Sequence, residues 1–373
     1  MRVEAVVPAL PAAGMEIVVA RMVRRMARRG VEVAVTCTEA AGNVADDLEK
    51  DGISVSVVPT PGILTNFRAP ALEARIRNRA PDVVHVHSGA WLKAATAARR
   101  SGVPVVVHTA HGLLDREPPY GPWMKRRAAR LTDQVTVVSQ PLRDYFVQRV
   151  GLDPSQVEVI ANGVDTELFA PGRPDLDLRR SWGFDTHHLV IGIVARFAPV
   201  KNHRLLVDAF SMLSSRVSEA RLVLVGDGAL RADLEAQVKA AGVEDKVHFA
   251  GALSGLERVY RAFDVFVLSS VAEGTSLSIL EAMATGLCVV ATAVGGNVDL
   301  LSDDHGALTP TGEARGLALT LERVLRDADL RQRLGQRARM RVAEMYSEEA
   351  MVERYLSMFQ GIRRMKEAAP CAG

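Results

Sequence analysis

Cysteine is scarce in this chain of 373 residues: Cys37, Cys288 and Cys371 stand far apart, with no CxxC pair. An odd, dispersed set supports neither a disulfide framework nor a cysteine zinc site, and it fits a reducing cytoplasm. Net charge is scarce as well. With 46 Lys+Arg against 44 Asp+Glu the balance is +2, too little for a protein that binds nucleic acid wholesale through its phosphates. No run approaches the ~18 uninterrupted apolar residues of a membrane span. The opening MRVEAVVPALPAAG has no cationic leader before a long apolar region, so it reads as a buried strand and a glycine turn rather than a signal peptide.

What is present is a chain long enough for two domains, each with its own core. Hydrophobic residues make up 48% and charged ones 24%, which excludes a disordered polymer and fits a globular enzyme. Short Val/Ile-rich runs recur at 3–7, 31–36, 53–58, 83–87, 105–109 and 135–138, then at 157–160, 190–194, 221–225, 247–249, 265–268 and 288–292. Most lack strict alternation, as strands buried on both faces do. Helical patterns at 17–29, 201–213 and 230–241 lie between them. Such alternation predicts α/β, doubly wound, Rossmann-like domains. The Pro-, Gly- and charge-rich segment 165–188 breaks the pattern and predicts a boundary, with an N-terminal domain over 1–165 and a C-terminal domain over 166–349. The part up to Arg180 is slightly cationic and the rest slightly anionic. In open α/β sheets ligands sit beyond the carboxyl ends of strands, where helix N-termini point, so the loops after strands are the places to look for chemistry.

Three loops stand out. In PAAGME, Gly14 opens a helix whose free N–H groups an anion could approach; a plain turn glycine also accounts for it. In GIVARFAPVKN, Arg196 and Lys201 lie five apart in a strand-to-helix loop and suit a diphosphate, though two solvated cations would read the same. In LSSVAEGTSLSILEAM, Glu273 and Gly274 form a loop, and Thr275, Ser276 and Ser278 are candidate helix caps. Glu281 then falls inside the helix, among Leu277, Ile279, Leu280 and Met283. A carboxylate in such surroundings needs a partner. A loop carboxylate and a helix carboxylate together can accept hydrogen bonds from sugar hydroxyls, while the helix N-terminus between them favours an anion.

Other features are weaker. Gly226-Asp227-Gly228 begins like a dinucleotide fingerprint, but Arg231 stands where its third glycine belongs, so a tight strand–helix turn is the better reading. His85, His87, His108 and His111 cluster at two strand ends without a zinc spacing; core roles cover most of them, and His111, past its strand, is the one expected to face a cleft. Arg21, Arg24, Arg25, Arg28 and Arg29 line one helix, and Lys125, Arg126, Arg127 and Arg130 flank Trp123 and Met124. Each set reads as a solvated face or as a basic surface for an anionic membrane.

Taken in order, GME, HTAHG at 108–112, ANGVD at 161–165, IVARFAPVKN, VGDG at 225–228, FAGAL at 249–253 and EGTSLSILEAMATG at 273–286 resemble the motifs of retaining glycosyltransferase family 4. The resemblance runs nearly the length of the chain. It implies the GT-B fold, two facing Rossmann-like domains with a cleft between them, and a C-terminal helix (about 350–373) returning to the first domain. It implies a nucleotide-sugar donor, UDP- or GDP-linked, no metal or other cofactor, and a glycan or lipid-linked acceptor, in cell-envelope or exopolysaccharide assembly. Arg196 and Lys201 would stabilise the leaving diphosphate. Glu273 would sit near the donor sugar and Glu281 would hold the ribose. The backbone at Leu277 and Ser278 would face phosphate or sugar. Gly14 would close over the phosphate, His111 would touch the sugar, and the base would rest near Gly251–Leu253. The chain departs from the family at Cys288, where proline is common, at Val298 and Asp299 in GGNVD, and at Thr275-Ser276. A non-catalytic sugar-nucleotide binder and a sugar-nucleotide epimerase of similar architecture are the competing readings.

Overall fold

The computed structural model describes residues 1–11, 14–112 and 118–368. The chain forms two compact units, Met1–Gly163 with Glu348–Gly373, and Val164–Ser347. The polar segment after 165 opens the second unit. Within that unit Val164 bridges to Ser347.

In the first unit β1 (Arg2–Val7), β2 (Glu32–Cys37), β3 (Ser54–Val57), β4 (Val83–His87), β5 (Val105–Ala110), β6 (Gln134–Val137) and β7 (Val157–Val159) form a sheet in the order β3-β2-β1-β4-β5-β6-β7. In the second, β8 (Leu189–Val194), β9 (Ala220–Val225), β10 (Val247–Gly251), β11 (Val265–Leu268), β12 (Cys288–Thr292) and β13 (Ala307–Thr309) take the order β10-β9-β8-β11-β12-β13. All the pairings are parallel. The apolar runs foretold twelve strands. β13 escaped them because ALT is short and sits among Asp303, Asp304 and Pro310.

Both orders reverse direction once, between β1 and β4 and between β8 and β11. At such a switch point the loops leaving two neighbouring strands run to opposite faces and leave a crevice. β8 and β11 pair directly, Val265 with Ile191 and Phe266 with Gly192, so the loops carrying Arg196–Lys201 and Glu273 leave side by side.

The first unit is completed by the end of the chain. Helix Glu348–Ala368 buries Tyr355 and Phe359, and the Tyr355 hydroxyl lies 3.1 Å from Thr109 Oγ1 on β5. The same helix engages the basic helix Gly14–Arg28. Arg25 Nε donates to Glu348 (3.0 Å), Arg21 Nε lies 3.6 Å from the same carboxylate, and Arg25 also meets Glu349. Arg29 pairs with Glu349 and Glu353, and Arg24 with Asp51. Four cations that could have faced a membrane are thus held by carboxylates of their own unit; Arg28 stands exposed. Glu4 interrupts the apolar run of β1 yet is fully buried; its Oε1 accepts from Thr36 Oγ1 at 2.5 Å, and the Nε atoms of Arg75 and Arg79 lie 3.5 and 3.4 Å from its carboxylate.

Candidate active site

In the second unit the chain leaves β8 through exposed Arg196 and a short 3-10 turn, Pro199–Lys201. Asn202, at φ 47°, then redirects it into helix His203–Ser214. Lys201 therefore precedes the helix rather than beginning it, and its side chain is free to reach sideways. It reaches the loop after β11: Lys201 Nζ donates to Glu273 Oε1 at 2.6 Å. Ser270 Oγ donates to the same oxygen, also at 2.6 Å. The Lys201 side chain is 24% exposed and that of Glu273 9%, so the pair is sheltered without being sealed.

Backbone contacts fix this geometry. Val271 N–H donates to Val200 O at 2.9 Å, which ties the two loops together. Ser269 Oγ donates to Lys201 O, and Thr292 Oγ1 on β12 donates to Ser270 O at 2.6 Å. Gly295 lies against the Glu273 loop so closely that a Cβ there would stand 1.9 Å from Glu273 O. Its φ of 49° with ψ of −138° is open to glycine and strained for other residues. Gly296 N–H caps the loop through Gly274 O at 3.0 Å.

Helix Leu277–Ala284 follows. Ser276 is its N-cap, its Oγ accepting from Ile279 N–H at 3.4 Å and lying 3.1 Å from Ser278 Oγ. Thr275, the other candidate cap, is buried before it. The N–H groups of Leu277 and Ser278 begin the helix, where no intrahelical acceptor exists. Glu281 is 6% exposed, and the partner that its burial demands is Tyr260, whose hydroxyl donates to Oε2 at 2.9 Å.

The neighbouring strand exits form one surface. Ala195 N–H donates to Val225 O, Phe197 N–H to Asp227 O, and Gly226 N–H to Gly251 O. Cβ atoms at Gly226 and Gly228 would strike the carbonyls of Ala195 and Phe197 at 2.1 and 2.6 Å. The GDG sequence is therefore a close-packed turn. Beside it Gly251 ends β10 at φ 70°, Leu253 is half-buried, and the Arg231 guanidinium lies 5.8 Å from the Phe249 ring centroid.

In the first unit Gly14 begins its helix, exposed and with no atom within 4 Å of where a Cβ would be. Residues 12 and 13 of the PAAGME loop lie outside the described residues. A cavity of about 340 Å³ opens past β4 and β5, lined by Trp91, Leu92, His108, Tyr120, Met124, Lys125 and Phe146 among others. The cavity histidine is His108, not His111. Trp91 fixes it there, its ring stacked on the imidazole at 3.9 Å and 5°. His111 turns instead to His87, with Nε2 3.1 Å from His87 Nδ1. Burial pushes His111 down to about 4, which Asn162 partly offsets, and pushes His85 down to about 3. Burial likewise holds His87 and His108 well below the ordinary imidazole range. The cluster is neutral at pH 7. Among the described residues no group of three or more His, Cys, Asp or Glu could hold a metal ion, and no helix is long and apolar enough to cross a membrane.

Sequence reasoning picked out Lys201, Glu273 and Glu281 but not Ser270, Tyr260, Thr292 or Gly295. The GGNVD segment was noted only for its departures from the family. Its first glycine is the tighter constraint.

Residues 175–341 match the family model for glycosyl transferases group 1, and residues 12–168 match that for glycosyltransferase family 4. A D-inositol 3-phosphate glycosyltransferase of Stackebrandtia nassauensis is 32% identical over 87% of this chain and 81% of its own. The UDP-Gal:alpha-D-GlcNAc-diphosphoundecaprenol alpha-1,3-galactosyltransferase of Escherichia coli is 28% identical over 79% and 80%. Among solved structures, Anabaena HepE in complex with UDP superposes with a TM-score of 0.86 at 23% identity, covering 97% of this chain and 100% of that one. The lipopolysaccharide glycosyltransferase WaaG gives 0.73 at 18%, covering 96% and 100%. These likenesses carry the fold, and the two parallel Rossmann-like sheets are those of GT-B proteins. With family models over both halves and close to a third of residues shared with a relative along most of its length, the chain belongs to glycosyltransferase family 4, the glycosyl transferases of group 1.

Proposed function

We propose that this chain is a retaining, metal-independent hexosyltransferase. It moves a sugar from a UDP- or GDP-linked donor, bound in the second unit, to a hydroxyl of a glycan or lipid-linked acceptor bound in the first. Its setting is the assembly of cell-envelope or exopolysaccharide glycans. The observation that carries the reading is the Lys201–Glu273 pair, formed by two loops that flank the β8/β11 switch point. The Anabaena HepE structures in complex with UDP and UDP-glucose support a uridine donor. The Escherichia coli relative, named for a diphosphoundecaprenol-linked acceptor, supports a lipid carrier.

In this reading each group has a physical task. The diphosphate lies over the N-terminus of helix Leu277–Ala284, where the amides of Leu277 and Ser278 and the helix dipole face it. Lys201, and Arg196 from the same loop, supply positive charge. Glu281, steadied by Tyr260, accepts from the ribose hydroxyls, and Glu273 accepts from a hydroxyl of the sugar. The base rests by Gly251 and Leu253. Negative charge grows on the departing phosphate oxygen as its bond to the sugar breaks, and cations and amides already in place stabilise it without reorganisation. The acceptor oxygen attacks from the face that the phosphate leaves, so configuration is kept. The acceptor proton passes to a departing phosphate oxygen. The acceptor lies in the cavity beside His108, whose neutral imidazole offers a hydrogen bond and no charge.

A thermal-shift panel of nucleoside diphosphates tests the donor site. One base should stabilise the chain selectively, and Lys201→Ala should abolish the shift. Turnover with the matching donor should then yield product with the anomeric configuration kept, in the presence of a chelator. An inverted product, or conversion of donor with no acceptor present, would overturn the proposal.

A further inference from the structure

Three imidazoles of the first unit stand in a row. His85 and His87 share one face of β4, with ring centroids 4.1 Å apart, and His111 follows β5 with its centroid 5.3 Å from that of His87. His85 and His87 are 0% and 1% exposed, while His111, past its strand, is half-buried. A neutral imidazole has one N–H and one bare nitrogen, and what each nitrogen meets decides which is which. Of the two, an N–H without an acceptor is the rarer buried orphan.

The available hydrogens settle each ring. Thr136 Oγ1 spends its hydrogen on His108 O at 3.1 Å, so it accepts from Thr109 Oγ1 at 2.6 Å. Thr109 then has no hydrogen left, and its Oγ1 receives the Tyr355 hydroxyl at 3.1 Å and His85 Nε2–H at 2.7 Å. The unpartnered Nδ1 of His85 is the bare nitrogen. His87 Nδ1 meets His111 Nε2 at 3.1 Å. The outer nitrogens of this pair, His87 Nε2 and His111 Nδ1, are buried without a hydrogen bond. They differ in surroundings: the Asn162 side chain favours a proton on His111, whereas only burial and other imidazoles act on His87. A proton on His87 Nε2 would be an orphan, so the pair is ordered from His87 to His111.

We infer that His87 is a positioning residue: it donates its Nδ1–H to His111 Nε2, fixes His111 in the Nδ1–H tautomer, and closes the only lone pair of that ring to a further proton. The imidazole at the exit of β5, next to Gly112 on the rim of the cavity, is thereby kept uncharged. For the proposed transfer, on whose acceptor cavity this consequence rests, the rim gains no cation from His111 as the medium turns acid. The titratable groups that face the pair are His85 on β4, His108 on β5 and Tyr355 on the returning helix; Lys125 acts on His108 and Glu158 on Tyr355. Asp115, Arg116 and Glu117, further along the chain, lie outside the described residues.

Long-range proton–nitrogen spectra of the full-length protein, isotopically labelled at its nine histidines, test this between about pH 8 and 5. Single substitutions assign the signals of His87 and His111. In the wild type both rings should show the Nδ1–H tautomer, with a coupling across the hydrogen bond from His87 Nδ1 to His111 Nε2, and His111 should not titrate in this range. His87→Phe fills the space without a donor, so the His111 midpoint should rise into the range, towards the ordinary ~6.5. His87→Asn, whose amide nitrogen can stand in for Nδ1, should restore the neutral ring. If burial alone kept His111 neutral, His87→Phe would leave its midpoint unmoved. That result, an Nε2–H tautomer of His111 in the wild type, or a His87→Asn variant that titrates like His87→Phe would each overturn the inference. The wild-type spectra decide the tautomers even where a variant does not fold. They need neither donor nor acceptor, so absence of turnover would count against the transferase reading alone.

Discussion

Lys201 and Glu273, 72 positions apart in sequence, meet at 2.6 Å because their loops leave two strands that pair directly at the β8/β11 switch point. Ser270 donates to the same carboxylate oxygen, so the ammonium is held by a carboxylate that is itself fixed. That fixes the ammonium beside the loop that leads into helix Leu277–Ala284. The arrangement is preorganised, and such arrangements are worth most where charge develops in a transition state.

Lys201→Ala is expected to lower kcat/KM by roughly 100- to 1,000-fold, the scale of removing one preorganised stabilising group. Steady-state kinetics checks this, with an unchanged circular dichroism spectrum showing that the fold survives. Activity within a few-fold of wild type would remove Lys201 from the mechanism.

Tyr260→Phe deletes the hydroxyl that donates to buried Glu281. A buried carboxylate that loses a donor costs about 1–3 kcal/mol, so urea unfolding should move to a lower midpoint. Donor KM should rise more than kcat falls, because Glu281 is assigned to ribose binding. A change confined to kcat would argue against that assignment.

Gly295→Ala combines a positive φ with a Cβ 1.9 Å from Glu273 O. The backbone strain alone is about 1–3 kcal/mol, and relieving the overlap must displace Glu273. Nucleoside diphosphate binding should be lost by calorimetry even if the variant folds. Gly14→Ala offers the contrast, since that position is open, and its fold should be unaffected.

Acid should unfold the first unit through its histidines. Burial lowers His85 to about 3 and His111 to about 4 in the folded chain, against about 6.5 unfolded. Between those values the unfolded state binds more protons, so stability falls as pH drops from about 6.5 towards 4 and is fully present above that window. Chemical denaturation at pH 7, 6 and 5 should show a falling midpoint, in a range where ordinary carboxylates remain ionised. A flat profile over that interval would contradict the neutral cluster.

Glu348→Ala removes a carboxylate that is 4% exposed and receives Arg25 and Arg21. Breaking a buried pair by deleting one partner costs about 3–5 kcal/mol, and here it loosens the returning helix from the first unit. Hydrogen exchange should accelerate in 348–368 while the second unit keeps its protection.

The amino-acid sequence by itself determined the two parallel sheets and the loops that bear the chemistry. Val- and Ile-rich runs without alternation can be satisfied only by burial on both faces, and glycines, cations and carboxylates placed just after them mark strand exits. Burial of Glu281 was legible from its apolar neighbours, because a helix with Leu277, Ile279, Leu280 and Met283 around a carboxylate has no polar face to turn outward. The tertiary structure alone decided who meets whom. Tyr260 as the partner of Glu281, Glu273 as that of Lys201, and Glu348 facing Arg25 are contacts across 21, 72 and 323 positions respectively. It also decided that His108 rather than His111 lines the cavity, since stacking on Trp91 settles the first ring and a neighbouring imidazole settles the second. Local pattern encodes how deeply a residue is buried and in which element. Which distant group then satisfies it depends on the order in which strands pair.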